Sequence, residues 1–209
     1  MSRRIHFGKN AVPHNSADQQ AFTTELIRKA IHISSAVTAV SAQCWYKQTI
    51  AAIIGISVLY GISEWLRMHH YNMFCIAALT RLAARERDKG HVVYGPLTLA
   101  AGVLLALVLY PLRIAKIAVY ALAFGDGLAG LIGKTFGKTP LRFMRDKTVA
   151  GSCACFVAAA CTSFAVSGCV WKSVLLALLT ALIEMLPLKD YDNLFIPLIV
   201  GLAALVLHA

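Results

Sequence analysis

The apolar run over residues 113–133 is long enough to cross a bilayer, yet it carries a carboxylate, Asp126, set between Gly125 and Gly127. Burying an ionisable group at that depth is costly unless it is paired, so the position marks function before it marks packing. The run loses its hydrophobicity at Lys134. A glycine-rich basic loop follows, with Lys134, Lys138, Arg142, Arg145 and Lys147, and apolar sequence resumes at Thr148–Ser152. Exposed backbone N–H groups beside lysine charge suit a phosphate-bearing ligand. Any fold adopted by this chain must bring a buried carboxylate and a basic loop to one membrane edge.

Composition agrees with a membrane setting. Hydrophobic residues make up 58% of the chain and charged residues only 14%, with a mean hydropathy of +0.67. Soluble domains sit nearer half apolar and a quarter charged. The expected fold is therefore all-α: a polytopic integral membrane protein with about seven transmembrane helices. The formal charge of +10 reports topology and anionic headgroups, and nucleic acid is not an expected partner. The first 24 residues are polar, and no cleavable signal peptide is visible in them. The six cysteines show neither CxxC spacing nor a zinc pattern, and read as small packing residues.

In order, residues 1–22 form a polar, basic tail, and 23–209 form one membrane-embedded catalytic domain. Thr23 or Thr24 is a candidate cap for a first span over 26–42, entered through Glu25, Arg28, Lys29 and His32. Further spans are expected over 49–66, 92–110, 113–133, 149–168, 171–188 and 194–208. Residues 67–91 are too charged to cross and suggest an interfacial amphipathic helix. Counting Lys and Arg on the two sides gives sixteen on the N-terminal side against four, Lys47, Arg113, Lys116 and Lys172. That imbalance predicts a cytoplasmic N-terminus and, with seven spans, an outside C-terminus. Glu25, Glu64, Asp126, Asp146, Glu184, Asp190 and Asp192 all fall on the cytoplasmic side. One-sided acids argue for one-sided chemistry and against a transporter, which needs polar groups along both exits.

Local motifs need their context. GDGLAG (125–130) matches a dinucleotide fingerprint in letters only, because a membrane helix precedes it and not a strand. GLIGKT (130–135) resembles the end of a phosphate loop, but Leu128 stands where that loop requires glycine. The plainer reading of Gly127, Gly130 and Gly133 is close helix packing; it leaves Asp126 unexplained. Lys147 with Thr148 and Ser152 makes an anion-binding corner at a helix start, or else a topological lysine with a capping threonine. Glu184, Asp192 and Asn193 are hard oxygen donors of the kind Mg²⁺ takes when it also holds phosphates; a solvated turn is the plainer account of Asp190 and Asp192. His69 and His70 read as headgroup residues. Small-residue spacing serves contacts within and between chains alike, so it allows an oligomer without specifying one.

Four segments together, ELIRKAIH (25–32), FGDGLAGLIGKTFGK (124–138), DKTVAGS (146–152) and Glu184 with Asp192-Asn193, resemble the dolichol/phytol kinase family, which includes CTP-dependent diacylglycerol kinase. The likeness covers most of the chain after residue 22, and its motifs stand in the right order. It departs at 148–152, TVAGS, where an acidic residue is expected before Gly-Ser. The family is distantly similar to phosphatidate cytidylyltransferases, whose longer acidic and double-glycine signature this chain lacks.

The resemblance implies transfer of the γ-phosphate of a nucleotide, typically CTP, to the hydroxyl of a membrane lipid alcohol such as a polyprenol or diacylglycerol. Such an enzyme sits in the plasma or inner membrane of a bacterium, or in the endoplasmic reticulum of a eukaryote. On that reading Asp126, Asp192 and Asn193 hold Mg²⁺. Arg28, Lys29, His32, Gly127, Lys134, Lys138, Lys147 and Ser152 bind the nucleotide. Asp126, Glu184 and Lys147 are the catalytic candidates, with either carboxylate able to orient or deprotonate the acceptor hydroxyl.

Overall fold

The structure, a computed structural model, describes residues 16–69, 91–141 and 144–209. The expected interfacial helix over 67–91 lies almost wholly outside them. The described chain is helical apart from one short ribbon, so the all-α expectation holds.

The first expected span, 26–42, is two helices: α1 (Ser16–Ser34) and α2 (Ala36–Cys44). α1 starts well before Thr23, whose hydroxyl donates to the Gln19 carbonyl inside the helix (2.9 Å) and caps nothing. The break has a local cause. The hydroxyls of Ser34, Ser35 and Thr38 each donate to the carbonyl three residues back, at 2.8, 2.6 and 2.6 Å. Such back-bonding competes with the main-chain ladder and bends helices.

Next come α3 (Tyr46–Met68) and α4 (Gly95–Leu109), then a long central helix, Leu112–Phe136, in three parts. These are α5 (Leu112–Tyr120), a π-helical turn (Ala121–Asp126) and α6 (Gly127–Phe136). The basic loop closes as an antiparallel ribbon, β1 (Pro140–Leu141) with β2 (Met144–Thr148). α7 (Val149–Ser167) begins with Thr148 as its N-cap, the hydroxyl accepting from Gly151 N–H at 3.2 Å. It ends at Gly168, whose φ of 67° suits glycine. α8 (Val170–Met185), a 3₁₀ turn (Lys189–Tyr191) and α9 (Asp192–Val206) complete the chain.

Three of these helices are long and apolar enough to cross a membrane: Tyr46–Met68, Leu112–Phe136 and Val149–Ser167. Their surroundings differ. The central helix is 67% buried over its apolar window, against 22% and 28% for the other two. The outer helices turn large apolar side chains outward, among them Ile56, Leu59, Ile62, Val157, Phe164 and Leu182. A continuous apolar exterior of this kind suits hydrocarbon and marks the protein as membrane-associated. Inside, alanines such as Ala39, Ala106, Ala115, Ala118 and Ala121 are fully covered, letting backbones approach closely.

The bundle has two chemically different ends. At one, Tyr46 Oη donates to Leu107 O (3.0 Å), an Arg113 guanidinium N–H to Ser167 O (3.1 Å) and Lys172 Nζ to His208 O (2.7 Å). Arg113 and Lys172 there are satisfied by carbonyls. Glu64, Glu184, Asp190 and Asp192 lie at the opposite ends of these same helices.

Candidate active site

α1 runs antiparallel to the central helix, and that register builds the site. Glu25 pairs with Lys134 (Oε2 to Nζ, 3.2 Å), Lys29 reaches across Gly130, and Ile33 packs on Gly127. The middle contact is the most constrained. Lys29 Nζ donates to Asp126 Oδ2 at 2.6 Å and to the Asp126 carbonyl at 3.0 Å. His32 Nδ1 lies 3.0 Å from the same carboxylate oxygen, but without the alignment of a hydrogen bond. Asp126 is thus a buried anion with a buried cation against it, and the cost of its depth is offset.

The π turn explains how Asp126 can serve two masters. A π-helical turn inserts a residue and opens the ladder locally, and such turns recur at functional sites. Here its last residue offers both side chain and carbonyl to one lysine. Gly130 then has a specific use: a Cβ there would collide with Lys29 Cε. Gly127, expected as a nucleotide-binding position, is instead covered by α1, since a Cβ would meet Ile33 Cγ1 at 2.9 Å. Gly133 and Gly151 bring α6 and α7 together, and a Cβ on Gly151 would fall 2.8 Å from the Ala129 carbonyl. The packing role of glycine accounts for these three, while Gly130 makes room for a charge.

A second buried pair lies beside the first. Lys147, from β2, donates to Glu184 Oε1 near the end of α8 at 2.5 Å. Burial alone would lower the Lys147 pKa, but the carboxylates of Glu184 and Asp126 more than offset it and raise it above the usual lysine value. The two pairs therefore sit within electrostatic reach of each other. Glu184 Oε2 is buried and has no hydrogen-bond partner among the described residues.

The start of α9 closes the cluster. Asn193 Nδ2 donates to Thr98 Oγ1 (3.0 Å) and to Gly95 O (3.3 Å), while its buried Oδ1 has no partner among the described residues. The Asp192 carboxylate accepts from Asn193 N–H at 2.9 Å. Burial, followed by the Asp126 charge, pushes the Asp192 pKa up to about 7, against the opposing charges of Lys29 and Lys147. Arg28 bridges Glu25 at 3.4 Å and Asp190 at 3.2 Å, tying α1 to the α8–α9 connection.

Most of the residues singled out from sequence thus converge: Arg28, Lys29, His32, Asp126, Lys134, Lys147, Glu184, Asp192 and Asn193. Lys138 stands apart, exposed beyond α6 and without an ion pair among the described residues. Ser152 sits in the first turn of α7 with its Oγ buried and unpartnered. Glu64 belongs elsewhere. It accepts from Val93 N–H (2.7 Å) and from Arg67 (2.6 Å), fastening α3 to the start of α4. For Asp190 the sequence leaves a metal-binding carboxylate and a solvated turn both open; the structure pairs it with Arg28, and no local sequence signal marks that contact.

No group of three or more His, Cys, Asp and Glu side chains among the described residues is gathered as a metal cage. Mg²⁺ at phosphate-transfer sites uses only one or two carboxylates, completing its shell with phosphate and water oxygens. Asn193 Oδ1 and Glu184 Oε2, without partners among the described residues, and the Asp192 carboxylate are hard oxygen donors that fit that mode.

Comparison with known proteins gives relatives of one kind. The chain is 29% identical to a probable phytol kinase 3, chloroplastic, of Glycine max, over 88% of this chain and 63% of the relative. It is 29% identical to a probable phytol kinase, chloroplastic, of Triticum aestivum, over 87% of this chain and 67% of the relative. A farnesol kinase, chloroplastic, of Arabidopsis thaliana is 26% identical over 89% of this chain and 66% of the relative. The chain therefore spans just under two thirds of the length of the soybean protein. No family model matches it, and no solved structure matches it. The likeness to the dolichol/phytol kinase family carried by the four motifs is matched by relatives that are themselves named phytol and farnesol kinases.

Proposed function

We propose that this chain is a prenol-type lipid kinase, moving the γ-phosphate of a nucleotide, CTP in the first instance, onto the hydroxyl of a membrane-embedded isoprenoid alcohol. The observation that carries this reading is the convergence of α1, the π turn, β2 and the α8–α9 connection on Asp126, Lys29, Lys147 and Glu184. The names of the relatives supply the reaction class.

Charge bookkeeping supports a metal–nucleotide substrate. In the cluster Arg28, Lys29, Lys134 and Lys147 face Glu25, Asp126, Glu184, Asp190 and Asp192, four cations against five carboxylates. Among the described residues of this cluster, the cations do not outnumber the acidic groups. Asp126, Asp192 and Asn193, with Glu184 near, would hold a divalent cation, which would supply positive charge against the phosphates in transfer.

The protein's own groups then have distinct tasks. Lys147 and Lys134 lie at the rim of the cluster, placed to exchange a carboxylate partner for a phosphate oxygen. Lys29, locked between Asp126 and Gly130, holds the Asp126 carboxylate ionised and in place. Arg28 and His32 line the α1 wall, and Ser152 Oγ offers a donor at the α7 N-terminus, where the helix dipole favours anions. The acceptor's proton goes to a carboxylate. Glu184 brings an oxygen without a partner, whereas Asp126 brings one shared by Lys29 and His32. In-line positioning and charge neutralisation do the rest.

Orientation belongs to the same proposal. With about seven spans, the sixteen-to-four charge count puts the acid-bearing end and N-terminus in the cytoplasm and the C-terminus outside. The alcohol then arrives laterally from the cytoplasmic leaflet. The test uses purified protein in lipid nanodiscs with Mg²⁺, each γ-labelled nucleotide, and phytol, farnesol, dolichol and diacylglycerol as acceptors. Labelled prenyl phosphate with release of the nucleoside diphosphate is expected. Pyrophosphate release with a nucleotide-linked lipid would make it a cytidylyltransferase, and no transfer to any alcohol would end the kinase reading.

A further inference from the structure

The antiparallel register that brings α1 to Asp126 continues beyond it and leaves an open apolar groove. Past Ile33 and Gly127 the partners become α2 and α5. There Val37 and Val40 of α2, Tyr120 and Phe124 of the central helix, and Thr162 and Ala165 of α7 line a groove of about 310 Å³. That volume lies at the small end of the range for ligand sites, roughly 300–1,000 Å³. The groove is almost wholly apolar and open along one side. Val37 is 65% and Val40 51% exposed at its rim.

We infer that this groove seats the isoprenoid tail of the acceptor alcohol and sets which chain lengths are phosphorylated. The inference rests on the kinase reading above. Continuity with the charged cluster selects the occupant. Phe124 is two residues before Asp126 in the same π turn, and Tyr120 stands edge-on to Phe124, ring centroids 5.7 Å apart. On the other wall, Val37 follows His32 by five residues, across the Ser34–Ser35 break. Both walls leave the Asp126–His32 contact in the same direction, away from the acidic end. On this inference the head of the tail lies toward Asp126 and His32, and the six-residue offset from Asp126 to Tyr120 amounts to about 9 Å along the helix axis.

The break between α1 and α2 gives the groove its mouth. A straight helix through Ser35 would keep one face against the central helix throughout. Because hydroxyl back-bonding bends the chain there, Val37 and Val40 form a rim. The exposed apolar surface on α3 has at its head, among the described residues, only the Glu64–Arg67 pair, which fastens α3 to the start of α4.

Ala165→Trp and Val40→Trp, which fill the groove far from the charged residues, are assayed with phytol and with dimethylallyl alcohol, whose tail is too short to need the groove. KM for phytol should rise about tenfold or more, the scale of discrimination an apolar pocket supplies per misfit group. KM for the nucleotide, and turnover of the short alcohol, should stay within twofold. An unchanged phytol KM in both variants overturns the inference, as does an equal loss with both alcohols. A second measurement needs no variant: a phytol analogue with a diazirine at its tail is photolysed with wild-type protein, and labelled peptides are mapped. Label on 36–44 or 157–167, displaced by excess phytol, supports the groove; label only on α3 or α8 overturns it. Wild-type turnover of phytol separates the two readings, because its absence ends the kinase proposal whatever the label shows.

Discussion

Lys29 reaches Asp126 through the space left by the missing side chain of Gly130, with Nζ 2.6 Å from Oδ2 and 3.0 Å from the backbone carbonyl. One lysine therefore satisfies both the carboxylate and the wide turn that carries it. Both side chains are buried, Asp126 2% and Lys29 7% exposed, so each depends on the other.

Replacing Asp126 by Asn tests both dependence and function. It should abolish phosphoryl transfer and, by leaving Lys29 buried without its counter-charge, destabilise the protein by about 3–5 kcal/mol. The double variant Lys29→Met/Asp126→Leu should recover most of that stability in thermal unfolding in detergent and none of the activity. Near-normal activity of Asp126→Asn would sink the assignment.

Gly130 and Gly151 should separate site from scaffold. Gly130→Ala displaces only the flexible end of Lys29, so the fold should survive while turnover falls at least tenfold. Gly151→Ala drives a methyl against the Ala129 carbonyl and Gly133, costing about 1–3 kcal/mol in overpacking. Unfolding midpoints beside activities at matched protein concentration decide it; the opposite pattern contradicts the roles assigned here.

The Lys147–Glu184 pair should behave as a unit. Lys147→Met and Glu184→Gln, alone and combined, should show a coupling of about 0.5–3 kcal/mol in the free energy derived from kcat/KM. Lys147→Met should act mainly through the nucleotide KM and Glu184→Gln mainly through kcat. Strict additivity would mean that the pair, 2.5 Å apart, does not act jointly in turnover.

Asn193 predicts a metal phenotype. Its amide N–H groups hold α4 while its carbonyl oxygen is unengaged. Asn193→Ala should raise the Mg²⁺ concentration for half-maximal activity about tenfold or more, the scale of losing one ligating group. Excess Mg²⁺ should recover much of the rate, and chelation should stop the wild type. An unchanged Mg²⁺ dependence would leave Asn193 with its helix-bridging role alone.

Sidedness is open to direct labelling. Cys44, exposed at the α2–α3 turn, and Lys138→Cys, exposed beyond α6, should react with a membrane-impermeant maleimide from opposite faces of sealed vesicles, with Lys138→Cys on the cytoplasmic face. Labelling of both from one face contradicts the proposed topology.

Much of this was legible in the chain because membrane burial makes polar residues expensive, and expensive residues are conspicuous. Asp126 and Glu184 stood out against apolar sequence, Asp192 and Asn193 lay in the polar loop before the last span, and the one-sided distribution of acids placed them at a common edge. The site's members could be gathered without coordinates for that reason. Their pairing could not. The 26–42 segment read as one helix, since serine and threonine carry no periodic signal for the hydroxyl back-bonds that split it at Ser35. Gly127 and Gly130 looked equivalent in sequence, yet one is packed by Ile33 and the other admits Lys29.

Alone, the sequence determined composition, the buried carboxylate and the charge asymmetry, and these are enough to demand a helical membrane protein with chemistry at one end. Which lysine neutralises Asp126, which glycine makes room for it, and where an apolar groove opens beside it were decided only by tertiary structure. The physical reason lies in the range of the forces. Hydropathy and charge are summed along the chain and survive any rearrangement of neighbours. Ion pairing at 2.6 Å and the clearance of a single Cβ depend on the antiparallel register of two helices about a hundred residues apart, and that register is set by packing alone.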